Sequence, residues 1–251
     1  MNHKEIIELA CRAGKIVLES GGEIYRVEQT MTAICEAYGI MYSESFATPT
    51  VIILSSGENN EHDSRMMRIT QRRIDLNKID AVNKFSRNPP KDPGKAMDAL
   101  EAIEKSKVHP IWLKLIASGV GAACFTLIFG GSKIDFFCGL LLGVFLNLVL
   151  VGLAKKSTGD FMVNLIGGAF AALGGWVAGT IFQSTNSWIV TVSAMMLLVP
   201  GLLFTNAMRD IAAGDLVSGG SRIIEVLSVA AALASGAAAA HAVLSLIGGV
   251  I

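Results

Sequence analysis

Charged residues are scarce in the second half of this sequence. Residues 111–251 contain six Lys or Arg and five Asp or Glu, whereas residues 1–110 contain 15 and 16. Soluble domains carry about 25% charged residues, and even with its polar first half this chain carries 17%. The charges balance to zero without a basic excess, which gives no support to a nucleic-acid partner. The sequence therefore predicts a polar domain at 1–108 and an apolar domain at 109–251.

Signals for secretion, metal binding and catalysis are also lacking. The first ten residues, MNHKEIIELA, contain no apolar signal-peptide core. No G-x-S-x-G, H-E-x-x-H, P-loop or kinase motif occurs, so no nucleophile–base pair is visible. The cysteines form no CxxC pair, and we expect them to be small core residues. They are Cys11, Cys35, Cys124 and Cys138. The sequence predicts no cofactor, no metal and no enzymatic activity.

Long apolar runs fill the second half instead. A membrane helix needs about 20 mostly apolar residues. Five stretches meet this requirement: 111–131, 135–154, 161–182, 188–208 and 222–250. Short polar breaks separate them, the last being RDIAAGDLVSGGSR. We therefore expect a multi-pass α-helical membrane protein with five transmembrane helices.

Positive charge is concentrated in alternate breaks between these runs. The breaks on one side contain Lys105, Lys107, Lys155, Lys156, Arg209 and Arg222, whereas the other side has only Lys133. Because Lys and Arg are enriched in cytoplasmic loops, we expect the N-terminus in the cytoplasm, the C-terminus outside, and residence in the cytoplasmic (inner) membrane.

Small residues recur every four positions within two of the predicted spans. Such ladders allow helix backbones to approach closely, so they predict a tight bundle, with partners either in this chain or in another subunit. The ladders are Gly167, Ala171, Gly175 and Gly179 in one span and Ser228, Ala232, Gly236 and Ala240 in another.

The first 108 residues predict an α+β cytoplasmic domain. Apolar residues at helical spacing predict helices over 3–20, 24–38, 75–86 and 93–107. A β-branched run at 50–56 predicts a buried strand, with a partner strand at 65–70. Asp92 followed by Pro93 is typical of a helix start.

The segment GGEIYRVEQTM, residues 21–31, places Glu23, Arg26 and Glu28 in the first turns of the second helix. Acidic side chains near a helix N-terminus are favoured by its dipole, so one interpretation is a capped, solvated helix face. The other is a gating or docking surface. The sequence leaves both open.

The segment LLVPGLLFTNAMRD, residues 197–210, interrupts an apolar run with Pro200 and Gly201. A proline lacks an amide donor and breaks a helix, which predicts either a packing kink or a broken helix on a substrate pathway. Further polar candidates for that pathway lie in or beside predicted spans, where polar groups are costly. They are Asn147, Asn164, Thr205, Asn206, Arg209 and Asp210. His241 also lies in a span, and its role is either structural or a proton relay.

The segment LLVPGLLFTNAMRDIAAGDLVSGGSR, residues 197–222, resembles a motif of the threonine/serine exporter (ThrE-type) family, and GGEIYRVEQTM resembles that family's N-terminal helix motif. The resemblance implies export of small polar metabolites. It also implies functional residues in both motifs, which are Pro200, Gly201, Asn206, Asp210, Gly219 and Arg222, together with Glu23, Arg26 and Glu28.

Fused members of that family carry a second set of about five spans, whereas this chain ends at Ile251. The resemblance therefore implies the larger subunit of the split form, in which pairs export small dicarboxylates such as succinate. A small membrane subunit with about four or five transmembrane helices is then the expected partner, and homo-oligomerisation stays open. The expected function is a secondary exporter subunit. The alternatives are a regulatory or scaffolding membrane protein and a membrane-anchored hydrolase-like domain.

Overall fold

The computed structural model describes residues 3–58, 61–106, 109–154 and 159–248. The chain divides into two compact units. Unit 1 comprises Met1–Lys107 and Leu202–Ile224, and unit 2 comprises Val108–Gly201 and Glu225–Ile251. We call the segment 21–31 the first motif and the segment 197–222 the second motif. Residues 202–224, which contain most of the second motif, therefore belong to the same unit as the first motif.

Four helices of unit 1 come from the polar half of the sequence. They are α1 (His3–Glu19), α2 (Ile24–Ala37), α3 (Leu76–Arg87) and α4 (Pro93–Glu104). Their apolar faces form one core that includes Leu9, Val17, Met31 and Leu100. The predicted start of the fourth helix is confirmed, because the Asp92 side chain accepts a hydrogen bond from the Gly94 amide with proline in the first turn. All four predicted helices are present.

A three-stranded antiparallel sheet completes this core. Its strands are β1 (Ser43–Thr48), β2 (Val51–Glu58) and β3 (Glu61–Arg68), in the order β1-β2-β3. The two predicted strands are confirmed, whereas β1 was not predicted. Its sequence SESFAT contains only two apolar residues, so it lacks the apolar run by which strands are recognised. In the observed register Ala47 pairs with Ile52, and both are buried.

Four helices among the described residues are long and apolar enough to cross a bilayer. Three are α5 (Ile111–Ile128), α6 (Lys133–Ala154) and α7 (Asp160–Ile181). The fourth is the span Leu216–Leu246 within a 33-residue helix, Leu216–Gly248. The protein is therefore a multi-pass helical membrane protein with a small sheet near its N-terminus. Of the predicted loop charges, Lys107, Lys155 and Lys156 lie outside the described residues.

The predicted span 188–208 is not one continuous helix. It is divided between α8 (Ser187–Met195) and α9 (Gly201–Ala212). Before the break the turns tighten, since Leu198 donates to the Met195 carbonyl, and Pro200 has no amide to continue the ladder. The residue before a proline is also disfavoured in the helical region. The break predicted at Pro200–Gly201 is therefore present.

The polar segment 209–222 was predicted to be a loop between two spans, and this prediction is wrong. α9 continues to Ala212, and only three residues separate it from α10 (Leu216–Gly248). The segment contains alanine and leucine, which are good helix formers, and its scattered charges are held by the contacts described below.

The small-residue ladders of unit 2 face other helices of this same chain. A side chain at Gly175 on α7 would collide with Thr191 and the Ser187 carbonyl on α8. One at Gly236 on α10 would collide with the Leu165 carbonyl on α7. Close backbone approach of this kind lets membrane helices gain dispersion contacts.

Candidate functional site

The turn between α1 and α2 presents two backbone carbonyls for side-chain contacts. α1 ends because Gly21 adopts a left-handed conformation with φ of 86°, which glycine tolerates best. The amides of Gly21 and Gly22 then donate to the Leu18 and Val17 carbonyls, so the α1 end is satisfied internally. The carbonyls of Gly21 and Gly22 remain available as acceptors for donors from elsewhere.

Both carbonyls receive donors from the second motif. The Asn206 side-chain amide on α9 donates to the Gly21 carbonyl at 3.0 Å. The Arg222 guanidinium on α10 donates to the Gly22 carbonyl at 2.9 Å. Asn206 and Arg222 are 5% and 2% exposed, and buried hydrogen bonds that involve a charged group are stronger than neutral ones. The two sequence motifs therefore meet in unit 1.

A buried ion pair joins α9 to α10 beside this turn. The Asp210 carboxylate lies 3.1 Å from the Arg222 guanidinium, and the two side chains are 0% and 3% exposed. The same guanidinium donates to the Gly22 carbonyl just before α2. Because buried charges are costly unless paired, this pair fixes the relative position of three helix ends.

Glu23 lies at the N-cap position of α2 and is buried rather than solvated. Its carboxylate forms ion pairs with Arg26 on α2 and with Arg209 on α9. Both arginine side chains remain about half exposed. One carboxylate thus links the two motifs a third time, at the edge of the buried region. The interpretation of a solvated helix face does not hold for Glu23.

We call the six side chains that make these contacts the polar cluster. It consists of Glu23, Arg26, Asn206, Arg209, Asp210 and Arg222. A cavity of about 170 Å³ opens beside it and is lined by Glu23, Arg26 and Asn206 together with apolar side chains such as Leu202. The cavity therefore presents a carboxylate, a guanidinium and an amide to a small occupant.

Glu28 lies five residues beyond Glu23 and makes a different contact. Its carboxylate accepts a hydrogen bond from the Ala47 amide at 2.9 Å, which fastens α2 to β1. Burial raises the pKa of the Glu28 carboxyl, the Ala47 hydrogen bond opposes this shift, and the charges of Asp215 and Asp210 reinforce it. Glu28 is thus electrostatically coupled to the polar cluster without contacting the cavity.

Gly219 lets α10 lie against α9 within unit 1. A side chain at this position would meet the Ala207 carbonyl and the Ile211 amide at 2.9 Å. Because Gly219 precedes Arg222 by about one helical turn, its close contact sets the position from which Arg222 reaches Asp210. The neighbouring Gly220 has open space at the same distance.

The remaining predicted site residues are not part of the polar cluster. The Asn147 side-chain amide on α6 donates to the Ser118 hydroxyl on α5 at 2.6 Å. The Asn164 side-chain amide donates to the Asp160 carbonyl of the same helix. Pro200 and Gly201 form the break before α9, and Thr205 is exposed. The Gly21 and Gly22 carbonyls are backbone acceptors, and no side-chain pattern in the sequence reveals them.

Several spanning helices, one helix broken at a proline and a cluster of buried charges are typical of membrane transport proteins. The chain belongs to a family of that class, since residues 8–244 match the family described as "Putative threonine/serine exporter". The predicted membership of this family is thereby confirmed.

Two curated relatives agree with this family. The chain is 24% identical over 245 residues to "Threonine/serine exporter" of Corynebacterium glutamicum, which covers 92% of this chain and 50% of that protein. It is 22% identical over 233 residues to "Probable succinate transporter subunit YjjP" of Klebsiella aerogenes, which covers 87% of this chain and 86% of that protein. The chain thus spans about half the length of the Corynebacterium relative. No solved structure shows significant similarity to the chain.

Proposed function

We propose that this chain is a subunit of a secondary exporter in the cytoplasmic membrane that moves small amino acids or small carboxylic acids out of the cell. The family match and the names of both relatives support this function over a scaffolding or hydrolase-like role. In this proposal the chain is not an enzyme and needs no cofactor.

The observation that carries the proposal is the junction of the two motifs in the polar cluster. Its arginines suit a carboxylate group, because guanidinium pairs with carboxylate through two parallel hydrogen bonds. Glu23 suits an ammonium group. The adjoining cavity of about 170 Å³ is below the usual size of drug-binding pockets, ~300–1,000 Å³, and so suits a small metabolite. We assign the polar cluster and Pro200–Gly201 to the substrate pathway. Within the cytoplasmic domain, we assign the gating of this pathway to Glu23, Arg26 and Glu28.

The broken segment supplies the fifth crossing in this proposal. α8 alone has nine residues, too few for a bilayer core, but residues 187–206 would extend ~30 Å at about 1.5 Å per residue. Five crossings with the N-terminus in the cytoplasm leave the C-terminus outside, in agreement with the Lys and Arg asymmetry. A helix interrupted at membrane depth is tolerated where it lines a cavity.

A second membrane subunit with about four or five helices completes the transporter in this proposal. The name of the Klebsiella relative describes a subunit, and half of the Corynebacterium relative lies outside the region matched here. Transporters commonly join two repeats around a central site, which the two components would supply. Homo-oligomers of this chain remain compatible with the same arrangement.

Replacement of Glu23 by glutamine tests the proposal directly. The substitution keeps the size of the side chain and removes the charge that holds Arg26 and Arg209. We expect efflux of labelled threonine, serine or succinate from vesicles containing both subunits to fall by about tenfold or more, because Arg26 and Arg209 lose the carboxylate that positions them.

Glu36→Gln is the matched control, because Glu36 lies on the exposed face of the same helix, and its efflux should equal that of the wild type. Wild-type vesicles that release all three solutes no faster than vesicles without the protein would contradict the exporter function. Normal efflux from the Glu23→Gln variant would contradict the role of the polar cluster.

A further inference from the structure

A second, larger cavity lies entirely within unit 2 and shares no lining residue with the cavity beside the polar cluster. It has a volume of about 850 Å³ and is formed by the end of α7, the following loop, the start of α8 and the last turns of α10. Its lining includes the indoles of Trp176 and Trp188, the amides of Gln183 and Asn186, and the imidazole of His241. No Asp, Glu, Lys or Arg is among the described residues that line it.

His241 lines this cavity and carries a buried polar atom that is unsatisfied. Its ring stacks on Trp188 with 5.2 Å between centroids and 28° between planes. Its Nε2 atom is buried and has no hydrogen-bond partner among the described residues. Leaving a buried polar atom unpaired costs about 1–3 kcal/mol, so such atoms in native proteins call for an explanation such as a bound molecule. A solute that reaches this atom would supply the missing partner.

The wall that carries Trp188 is held firmly by polar contacts. The Asp135 carboxylate at the start of α6 accepts hydrogen bonds from the Ser132 amide at 2.7 Å and the Asn186 amide at 2.9 Å. The Asn186 side chain in turn caps α8 through the Trp188 and Ile189 amides. The cavity is therefore preorganised, which lowers the entropy cost of binding.

We propose that this cavity is a second solute-binding site, which takes a small polar solute without net charge through Nε2 of His241 and the surrounding amides and hydroxyls. Amides and hydroxyls both donate and accept hydrogen bonds, so they satisfy the two ends of a zwitterion. A dianion finds no counter-charge in this lining, and burial of an unpaired charge is strongly unfavourable. The indole faces pack against the solute's carbon atoms.

The location fits the proposed topology, on which this site rests for its role in export. Five crossings place the loop after α7 and the end of α10 together on the outer side, where an exported solute leaves. The cavity would then select the exported solute at the outer mouth.

Tryptophan fluorescence tests the site in the intact chain. The protein has three tryptophans, so Trp112→Phe leaves only Trp176 and Trp188, both in the cavity wall. We expect L-serine and L-threonine to change this emission saturably, and succinate to bind at least about tenfold more weakly, the factor that corresponds to 1.4 kcal/mol. Calorimetric titration of the same detergent-solubilised protein provides a second readout.

Two substitutions at His241 separate ligand contact from folding. His241→Phe keeps an aromatic ring against Trp188 and removes both ring nitrogens, so affinity should fall about tenfold or more. His241→Gln retains a hydrogen-bonding group and should recover part of the loss, whereas His109→Phe, outside the cavity, should bind as the wild type does. Absence of saturable binding of serine and threonine by both methods, or an unchanged affinity in both His241 variants, would overturn the site. Binding without efflux would instead contradict the exporter function alone.

Discussion

Alanine in place of Arg222 is expected to destabilise unit 1 by about 3–5 kcal/mol, the usual result of leaving one charge of a buried pair unpaired. Asp210 is 0% exposed and would lose its guanidinium partner, while the Gly22 carbonyl would lose its donor. The loss corresponds to a decrease in Tm on the order of 10 °C. Thermal unfolding of the purified variant measures it, and vesicle efflux should be abolished in the same preparation.

A double variant distinguishes the energetic role of this pair from its role in transport. In Asp210→Leu/Arg222→Met both charges are replaced by apolar side chains of similar length, which is often neutral or stabilising at a buried pair. We expect most of the lost stability to return while efflux remains absent. Arg209→Ala removes a pair in which the arginine is 48% exposed, so solvent screening limits its cost to less than about 1 kcal/mol. A double variant no more stable than Arg222→Ala would contradict the ion-pair assignment.

The Gly219→Ala substitution is expected to have the second largest effect, although it adds a single methyl group. The methyl carbon would meet backbone atoms of α9, namely the Ala207 carbonyl and the Ile211 amide, at 2.9 Å. Backbone cannot give way as a flexible side chain can, so α10 must shift at a cost of about 1–3 kcal/mol. The shift also withdraws Arg222 from Asp210, and we expect both Tm and efflux to fall.

Gly220→Ala provides the matched control one residue further along α10. A methyl group there has no neighbour within 4 Å, and alanine is favoured over glycine in a helix interior by about 0.5–1 kcal/mol. This variant should therefore be as stable as the wild type or slightly more so, with normal efflux. Equal behaviour of the two variants would show that α9 and α10 are not in close contact at Gly219.

Periodicity in the sequence was sufficient for most of the helices. The four helices of the polar half and three spanning helices lie where apolar spacing and length place them. It was insufficient for β1, whose sequence is mostly polar, and for residues 209–222, where charges interrupt an apolar run. Those charges form tertiary contacts within unit 1, such as Arg222 with Asp210, and no local pattern reveals that they are buried.

The candidate site shows the same limit. Glu23, Arg209 and Arg222 were selected for their motifs, yet the sequence gives no sign that they meet, because the contact between Arg222 and Gly22 joins residues 200 positions apart. Polarity within an apolar run was a weaker guide, since Asn147 and Asn164 make local or helix-to-helix hydrogen bonds. The Gly21 and Gly22 carbonyls could not be predicted as acceptors from side-chain chemistry.

The cysteine prediction was half right, and the outcome is useful for labelling experiments. Cys11 and Cys35 are buried, whereas Cys124 is exposed and Cys138 is partly exposed. Burial raises the pKa of the Cys11 thiol to about 12 and that of Cys35 to about 11. Because the thiolate is the reactive form, these two cysteines should remain unmodified near neutral pH. Replacement of Cys124 and Cys138 by serine therefore gives a background with little reactivity.

Solute protection of a cysteine introduced at Leu202 tests the central claim most directly, namely that solute occupies the cavity beside the polar cluster. Leu202 lines that cavity, whereas Met208 is exposed on α9 outside it. In the low-reactivity background, reconstituted into nanodiscs with the small subunit, saturating threonine, serine or succinate should slow maleimide labelling of Leu202→Cys by about tenfold, as expected for an occupied site. Labelling of Met208→Cys should not change. Equal labelling rates at Leu202→Cys with and without each of the three solutes would contradict the account.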